Sequence, residues 1–432
     1  MQLPSQLEIV PLVRPPHASI RVPGSKSITN RALVLAALAG RKHACELWGA
    51  LRSEDTEIMV TALRTLGFHV ESSSEHWATT ALTVRNPSPD RIIPARNADL
   101  FVGNSGTSMR FLTGLVSLGQ GKYRLDGVPR MRERPIGDLL WALNQLEGWA
   151  YSEDGTGYPP VIIEANRLPG GHVTIKGDVS SQFLSGLLMA VPLADADVVI
   201  DVDGPLVSRP YVDLTVAMMR DFGARLTAEP AGFRIPGGQR YELRRYAIEP
   251  DASAASYFWG AAAITGGEVC VEKLTSKSLQ GDIRFVELLE KMGCQVVRTD
   301  SGITVHGGKL TGIDVDMNDI SDTVMTLAAV ACFADGPTTI RNVAHIRHKE
   351  TDRMTAIATE LRRLGAGVVE REDGLTITPG PMHGAVVRTY NDHRMAMSLA
   401  LIGLKVPGIV IDNPACVAKT YPLFFDDLER LR

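Results

Sequence analysis

The chain of 432 residues has no C-x-x-C pair, and its five cysteines (Cys45, Cys270, Cys294, Cys332 and Cys416) are odd in number and widely scattered. That pattern argues against a disulfide scaffold and a structural zinc site, so buried thiols are expected. H-x-x-x-H and H-E-x-x-H are missing as well, and a catalytic metal is not expected. Long apolar runs are also lacking. The longest, Val324 to Ala334, is about 11 residues, against the roughly 18 that would suggest a membrane span. The N-terminus, MQLPSQLEIVPLVRPP, has no basic region followed by an apolar block, so neither a cleaved leader nor a membrane association is expected and a cytoplasmic protein is. Charge of either sign is not in excess: 45 Lys+Arg stand against 49 Asp+Glu, a net of -4 without basic runs, which speaks against a nucleic-acid partner.

What the chain has in abundance is small residues, 40 Gly and 25 Pro, which point to many turns and close backbone approaches. The glycines help to mark a repeat. Six units open on polar loops near Gly24, Gly103, Gly177, Glu249, Asp316 and Tyr390. Each loop leads into a helix nearly apolar all round, such as RALVLAALAG or ASYFWGAAAITGG, as expected of helices buried inside an assembly. A second helix follows in the first five units, for example TEIMVTALRTLGFHV or TDRMTAIATELRRLGAGV, with apolar residues at three- and four-residue spacing and charges between them. Strands then complete the unit, and Leu7 to Leu12 reads as a further strand ahead of the first opening. Six α/β units divide into two domains of three, with the boundary in the charged stretch Arg244 to Pro250.

The cations are not scattered evenly. Lys26 and Arg31 lie in PGSKSITNR, Arg110 in GNSGTSMR, Arg130, Arg132 and Arg134 in PRMRERP, Arg209 in SRPY, Arg347, Lys349 and Arg353 in RHKETDR, Arg394 in NDHR and Lys419 in AKTYP. Each sits at or just after a unit opening, with acids expected to spread over the outer helices. Helix N-termini present free backbone N–H groups, and a neighbouring Arg adds a bidentate fork for phosphate or carboxylate. The pattern implies a site for several anionic groups. Any one loop could equally be a capped helix start or a solvated charge run; the recurrence at equivalent places is the stronger observation. Asp322 and Glu350 lie among these cations, where a carboxylate serves either as a structural ion-pair partner or as a general acid or base. His393 could be a core hydrogen-bonder, and no serine or cysteine has a local base that would make it a nucleophile.

Read in order, PGSKSITNRAL, GNSGTSMR, RMRERPIGDLL, GDVSSQFL, VSRPY, DASAASYF, QGDIRF, HKETDR, YNDHRMAM and AKTYP closely resemble the enolpyruvyl transferase family, on its branch that uses shikimate 3-phosphate. The resemblance covers essentially the whole chain. It implies a two-domain α/β fold, each domain three βαβαββ repeats with buried parallel helices (an inside-out α/β barrel), closing over a cleft. Residues 24–245 would form the N-terminal domain, and residues 1–23 with 246–432 the C-terminal one. The implied reaction moves the enolpyruvyl group of phosphoenolpyruvate to the 5-hydroxyl of shikimate 3-phosphate through a tetrahedral intermediate, with no cofactor and no metal, in a monomer whose partners are these small molecules.

By motif position, the resemblance assigns Lys26, Ser27, Arg31, Ser180, Ser181, Gln182, Ser208, Asp322 and Lys349 to shikimate 3-phosphate. It assigns Lys26, Asn104, Gly106, Arg134, Gln182, Arg353, Arg394 and Lys419 to phosphoenolpyruvate. Asp322 would be the base near the attacking hydroxyl and Glu350 the proton donor to the methylene carbon, with Lys26 the third catalytic group. Gly106 lacks the methyl associated with glyphosate insensitivity, so sensitivity is implied. Phe111 stands where enterobacterial members have Pro, and His345 where an Asn contacts the sugar-like ring. A sister activity on UDP-N-acetylglucosamine, which would need a reactive Cys in a mobile loop, and a polyanion-binding module without turnover are the alternative readings.

Overall fold

The structure is a computed structural model that describes residues 3–40, 43–72 and 81–432. Its helices alternate between two kinds. In chain order they are α1 (Lys26–Ala39), α2 (Glu54–Thr65), α3 (Gly106–Val116), α4 (Gly137–Gln145), α5 (Ser181–Ala190) and α6 (Arg209–Asp221), then α7 (Ala252–Thr265), α8 (Phe285–Lys291), α9 (Val324–Ala331), α10 (Arg353–Arg363), α11 (His393–Gly403) and α12 (Phe424–Glu429). The first helix of each repeat is enclosed on all sides. Every residue of α3, α9 and α11 is buried, as is every residue of α7 from Ala252 to Ile264. The second helices bury one stripe only; in α6 this is Val212, Leu214, Thr215, Val216, Met218 and Met219, the pattern their spacing implied. No helix among the described residues is long and apolar enough to cross a membrane.

One sheet plan serves the first five repeats. Gly171–Lys176 runs parallel to Val198–Asp203, which pairs antiparallel with Gly232–Ile235, which in turn pairs with Thr227–Glu229. Asn97–Phe101, Gln120–Asp126, Val161–Asn166 and Ala150–Ser152 follow the same order, as do Asp314–Asp316, Thr338–Arg341, Leu375–Thr378 and Gly367–Glu370. Two sheets recruit their opening strand from a distant part of the sequence: His17–Ile20 lies beside Glu268–Glu272, and Arg245–Ala247 beside Cys45–Trp48. The last sheet has three strands. Val386–Val387 lies parallel to Ile409–Asp412, whose other edge takes the N-terminal Gln6–Ile9 antiparallel. That N-terminal strand is shorter than the Leu7 to Leu12 expectation; it stops before Pro11, which has no N–H to give a ladder.

The chain divides into two compact units, Gly24–Ile248 and Met1–Pro23 with Glu249–Arg432. Each has its own apolar core. The borrowed strands explain both crossings. His17–Ile20 precedes α1 yet pairs within the C-terminal unit, while Arg245–Ala247 precedes α7 yet pairs within the N-terminal one. The unit Gly24–Ile248 ends on a residue whose N–H bonds to the Trp48 carbonyl at 2.8 Å, within the stretch Arg244 to Pro250.

Close helix packing depends on particular glycines. A Cβ on Gly114 in α3 would lie 2.4 Å from the carbonyl oxygen of Gly186 in α5, so the two backbones touch where only hydrogen fits. Gly114→Val should cost about 2–3 kcal/mol of stability through overpacking. Denaturant unfolding measures this, and an unchanged midpoint would contradict the contact.

Candidate active site

Most of the candidate residues sit at helix N-termini, where the first N–H groups have no partner within the helix. Ser25, Ser105 and Ser180 cap α1, α3 and α5: their hydroxyls accept from the N–H of Ile28, Ser108 and Gln182. None of α1, α3, α5, α6, α7, α9, α10 or α11 carries an acidic residue in its first turn, whereas the outer α2 and α4 do. The positive ends of α1, α3 and α5, capped by neutral serines, thus carry no acid of their own and favour external anions, whereas aspartates, Asp251 and Asp392, cap α7 and α11.

In the N-terminal unit, Lys26 lies at the start of α1 with its Nζ 3.7 Å from Asp55 Oδ2, and both side chains are largely buried. Arg134 is buried and donates from Nη1 to the Asn104 backbone oxygen at 2.9 Å and to its Oδ1 at 3.2 Å. This bond sets the loop that opens α3. A Cβ on Gly106 would fall 2.2 Å from Arg134 Nη2, so the absence of a side chain there lets the guanidinium lie against the helix start. Gln182 donates to Thr107 Oγ1 at 3.3 Å, linking the starts of α5 and α3. Ser208 adopts the left-handed conformation (φ 52°) and is buried at the start of α6, with Ser181 buried at the start of α5 and Ser27 half-buried on α1. Arg31 is enclosed: it donates to Ser27 O, Thr215 Oγ1, Ser185 Oγ and Tyr211 O, which uses four of its five N–H groups.

The C-terminal unit gathers its candidates into one chain of ion pairs. Lys419 Nζ is 4.0 Å from Glu350 Oε1, and Glu350 Oε2 accepts from Arg353 Nη2 at 2.8 Å. Arg353 continues to Asp322 Oδ1 at 3.3 Å, and Asp322 Oδ2 accepts from Arg394 Nη2 at 2.7 Å. Asp322 stands on a short 3-10 turn, Asn318–Thr323, in which Ile320 breaks helical geometry (φ -128°, ψ 37°) just ahead of α9. Asp392 closes the cluster. Fully buried, it caps α11 by accepting from Arg394 N at 2.9 Å and holds Arg353 by Nε at 2.8 Å and Nη2 at 3.3 Å. Burial works to lower the Arg353 pKa, but Asp392, Glu350 and Asp322 outweigh it and hold the guanidinium above its ordinary value. Arg394 also donates to the Tyr257 hydroxyl at 3.3 Å, a phenol pushed up to about 12 chiefly by burial. Lys349 is half-buried beside Glu350 in sequence.

Burial separates the remaining cations. Arg132 reaches Asp126 at 2.6 Å with half its side chain exposed, Arg130 pairs with Glu133, Arg209 lies 3.8 Å from Asp213, and Arg347 ties Asp352 to Glu370. These are partly exposed ion pairs of small energetic weight. The sequence reading missed Asp55, Asp392 and Thr215. Asp392 was visible in NDHR and Asp55 in the acidic first turn of α2; Thr215 looks in sequence like any residue of an amphipathic stripe. The buried carboxylates also alter the expected charge segregation, since Asp322, Glu350 and Asp392 lie among the cations and Asp55, although on the outer helix α2, is buried beside Lys26.

His393 is fully buried, its Nδ1 3.4 Å from Asp392 Oδ1. His345 is buried too, and its pKa is lowered to about 3 by burial first, then by Lys349 and His348, against the opposing pull of Asp322. The folded protein therefore keeps this ring neutral while the unfolded chain protonates it below an ordinary value near 6.5. Stability is present above that value and is lost as pH falls toward 3, at about 1.4 kcal/mol per pH unit. His345→Gln should remove about 2 kcal/mol of the stability difference between roughly pH 6.5 and pH 5. Urea unfolding at the two pH values measures it; an unchanged difference would show that the ring is not held neutral.

Comparison with known proteins agrees with the architecture. The family EPSP synthase (3-phosphoshikimate 1-carboxyvinyltransferase) matches residues 13–428. The 3-phosphoshikimate 1-carboxyvinyltransferase of Nostoc punctiforme is 51% identical over 97% of both chains, and the chloroplastic protein of Solanum lycopersicum is 45% identical over 99% of this chain and 84% of its own. A solved structure of EPSP synthase from Acinetobacter baumannii superposes with a TM-score of 0.79 at 26% identity, covering 99% of this chain and 98% of that one. With the two-domain enolpyruvyl transferase fold, six repeats and motifs in the same order, the chain belongs to the EPSP synthase family.

Proposed function

We propose that the protein transfers the enolpyruvyl group of phosphoenolpyruvate to the 5-hydroxyl of shikimate 3-phosphate and releases phosphate. The observation that carries this reading is the buried ion-pair chain Lys419–Glu350–Arg353–Asp322–Arg394, which combines anion-binding groups with two carboxylates suited to proton transfer. Family membership and full-length identity to proteins named for this activity support it.

The chemistry has two halves. In the addition, Glu350 gives a proton to the methylene carbon of phosphoenolpyruvate while Asp322 takes the proton of the 5-hydroxyl, whose oxygen bonds to the central carbon. The result is a tetrahedral ketal phosphate. In the elimination, a proton leaves the new methyl group, the C–O bond to phosphate breaks, and the enol ether and phosphate form. Arg353, Arg394, Arg134 and Lys419 hold the phosphate and carboxylate charge, with Asn104 and Gly106 shaping the loop beside Arg134. Lys26 and Gln182 serve both substrates; Ser27, Arg31, Ser180, Ser181, Ser208 and Lys349 hold shikimate 3-phosphate. An anion taking up Arg394 would weaken its hold on Asp322 and leave that carboxylate better able to accept a proton. Phosphoenolpyruvate brings its own leaving group, so the chemistry requires no organic cofactor or metal, and a cytoplasmic monomer fits this reading.

The sister activity on UDP-N-acetylglucosamine finds no support in Cys45. That thiol is buried in the strand Cys45–Trp48, and its pKa is pushed up to about 12 by burial first and by Glu46 second, opposite to what a reactive cysteine requires.

Phosphate release from phosphoenolpyruvate that depends on shikimate 3-phosphate tests the activity directly; release without the second substrate, or none at all, would refute it. Asp322→Asn, which keeps the shape, should lower kcat by about 100-fold or more and change KM for either substrate only a few-fold, as expected for a lost base. Equal loss in both would make Asp322 a binding group. Glyphosate should inhibit in competition with phosphoenolpyruvate, and Gly106→Ala should weaken that inhibition because the new methyl displaces Arg134. A wild-type enzyme indifferent to glyphosate would overturn this assignment of the α3 loop.

A further inference from the structure

Arg31 lies one turn below the N-terminus of α1, about 6 Å along the axis from Ser27. It is 2% exposed, and its partners come from every neighbouring helix that carries a candidate ligand. Nη1 reaches Ser27 O of α1 at 2.9 Å; Nη2 reaches Ser185 Oγ of α5 at 3.3 Å and Tyr211 O of α6 at 3.1 Å. Nε reaches Thr215 Oγ1 of α6 at 2.7 Å, the shortest of the four bonds. Its plane stands over the Phe111 ring of α3 at 5.0 Å. All its hydrogen-bond partners are neutral oxygens. Such a cation stays charged in the interior only while its acceptors remain in place, and burial, the main cause, already lowers its pKa to about 10.

Thr215 is the side chain that closes this knot. Its hydroxyl oxygen lies 2.9 Å from Ser185 Oγ and 2.8 Å from Tyr211 O, so one group accepts from Arg31, meets α5 and bonds its own helix. The helices joined are those whose N-terminal turns carry Ser27, Ser181 and the Ser208 cap. Toward α3, whose entry loop carries Asn104 and Gly106, none of the four hydrogen bonds of Arg31 is directed; the guanidinium meets the face of Phe111 there.

We infer that Thr215 is a positioning residue for the shikimate 3-phosphate side of the site: by holding Arg31 it keeps the N-termini of α1, α5 and α6 in register. The inference rests on the proposed activity and adds to it a residue that touches neither substrate.

The test compares Thr215→Val, which keeps the β-branched shape and removes the acceptor, with Thr215→Ser, which keeps the hydroxyl. Steady-state kinetics are measured for both substrates, with calorimetric titration of shikimate 3-phosphate and thermal melts. The Val variant should raise KM and Kd for shikimate 3-phosphate about 10-fold, near 1.4 kcal/mol, with kcat and the phosphoenolpyruvate KM within about 3-fold. The Ser variant should return both to within about 2-fold of wild type. Ser185→Ala supplies the same comparison from α5 if the Val variant fails to fold. Unchanged affinity in a folded Val variant, a uniform loss for both substrates, or failure of Ser to rescue would each overturn the positioning role while wild-type turnover stands. A wild type that neither turns over nor binds shikimate 3-phosphate would overturn the activity reading, and the inference with it.

Discussion

The enclosure of the first helix in each repeat is the constraint from which the rest follows. A helix that is apolar on every face, as α7 and α9 are, can be stable in water only if other elements cover its whole length. The sheets, the second helices and the neighbouring enclosed helices supply that cover, which leaves the helix ends as the places where polar chemistry can occur. The N-terminal ends carry first-turn N–H groups beyond those that Ser25, Ser105, Ser180, Asp251 and Asp392 cap, and the loops entering them use Gly, Ser, Asn and Asp to cap and turn. Anion binding is in this sense a by-product of the packing solution: the architecture that buries the helices also produces several positive ends for recruitment as a site.

Two buried arginines show how differently a guanidinium can be held. Arg31 has four neutral oxygen partners and an aromatic face, and its pKa falls to about 10. Arg353 has three carboxylates, and its pKa rises although it is just as deeply buried. The first arrangement supplies mechanical linkage between helices while retaining a net positive charge in its surroundings. The second neutralises the cation but keeps it ordered, and the carboxylates that order it include the two read as proton-transfer groups. Breaking such a pair by removing one partner is expensive, about 3–5 kcal/mol, because it strands the other charge in the interior. Asp392 is therefore as integral to the C-terminal cluster as Arg353 itself.

The repeat, the alternation of enclosed and amphipathic helices and most of the loop cations were legible in the sequence because each depends on local periodicity or on a residue beside a glycine turn. The family resemblance implied that the chain crosses between domains twice, but not which opening strands the crossings exchange. Arg245–Ala247 is three residues long, and nothing in its composition says that it pairs with Glu46–Trp48 some two hundred residues earlier. Burial was equally hard to read: Arg132 and Arg134 are two residues apart in the same motif, yet the first is a partly exposed partner of Asp126 and the second is enclosed against Asn104 and Gly106. A motif identifies which residues are available, and the turn geometry of Pro129–Glu133 decides which of them face inward.

The near balance of 45 basic and 49 acidic residues takes on a local meaning from this. A cation cluster built only of Lys and Arg would repel itself, and in a low-dielectric interior that repulsion would oppose folding. Interleaving Asp322, Glu350 and Asp392 with Arg353, Arg394 and Lys419 removes the repulsion at the cost of competing with incoming anions for the same N–H donors. Competition of this kind suits catalysis better than tight ground-state binding would. An anion that displaces a carboxylate from a guanidinium gains only the difference between two similar interactions, while the displaced carboxylate becomes a stronger proton acceptor. In the proposed reaction, binding free energy would thereby be converted into reactivity at Asp322 rather than appearing as affinity.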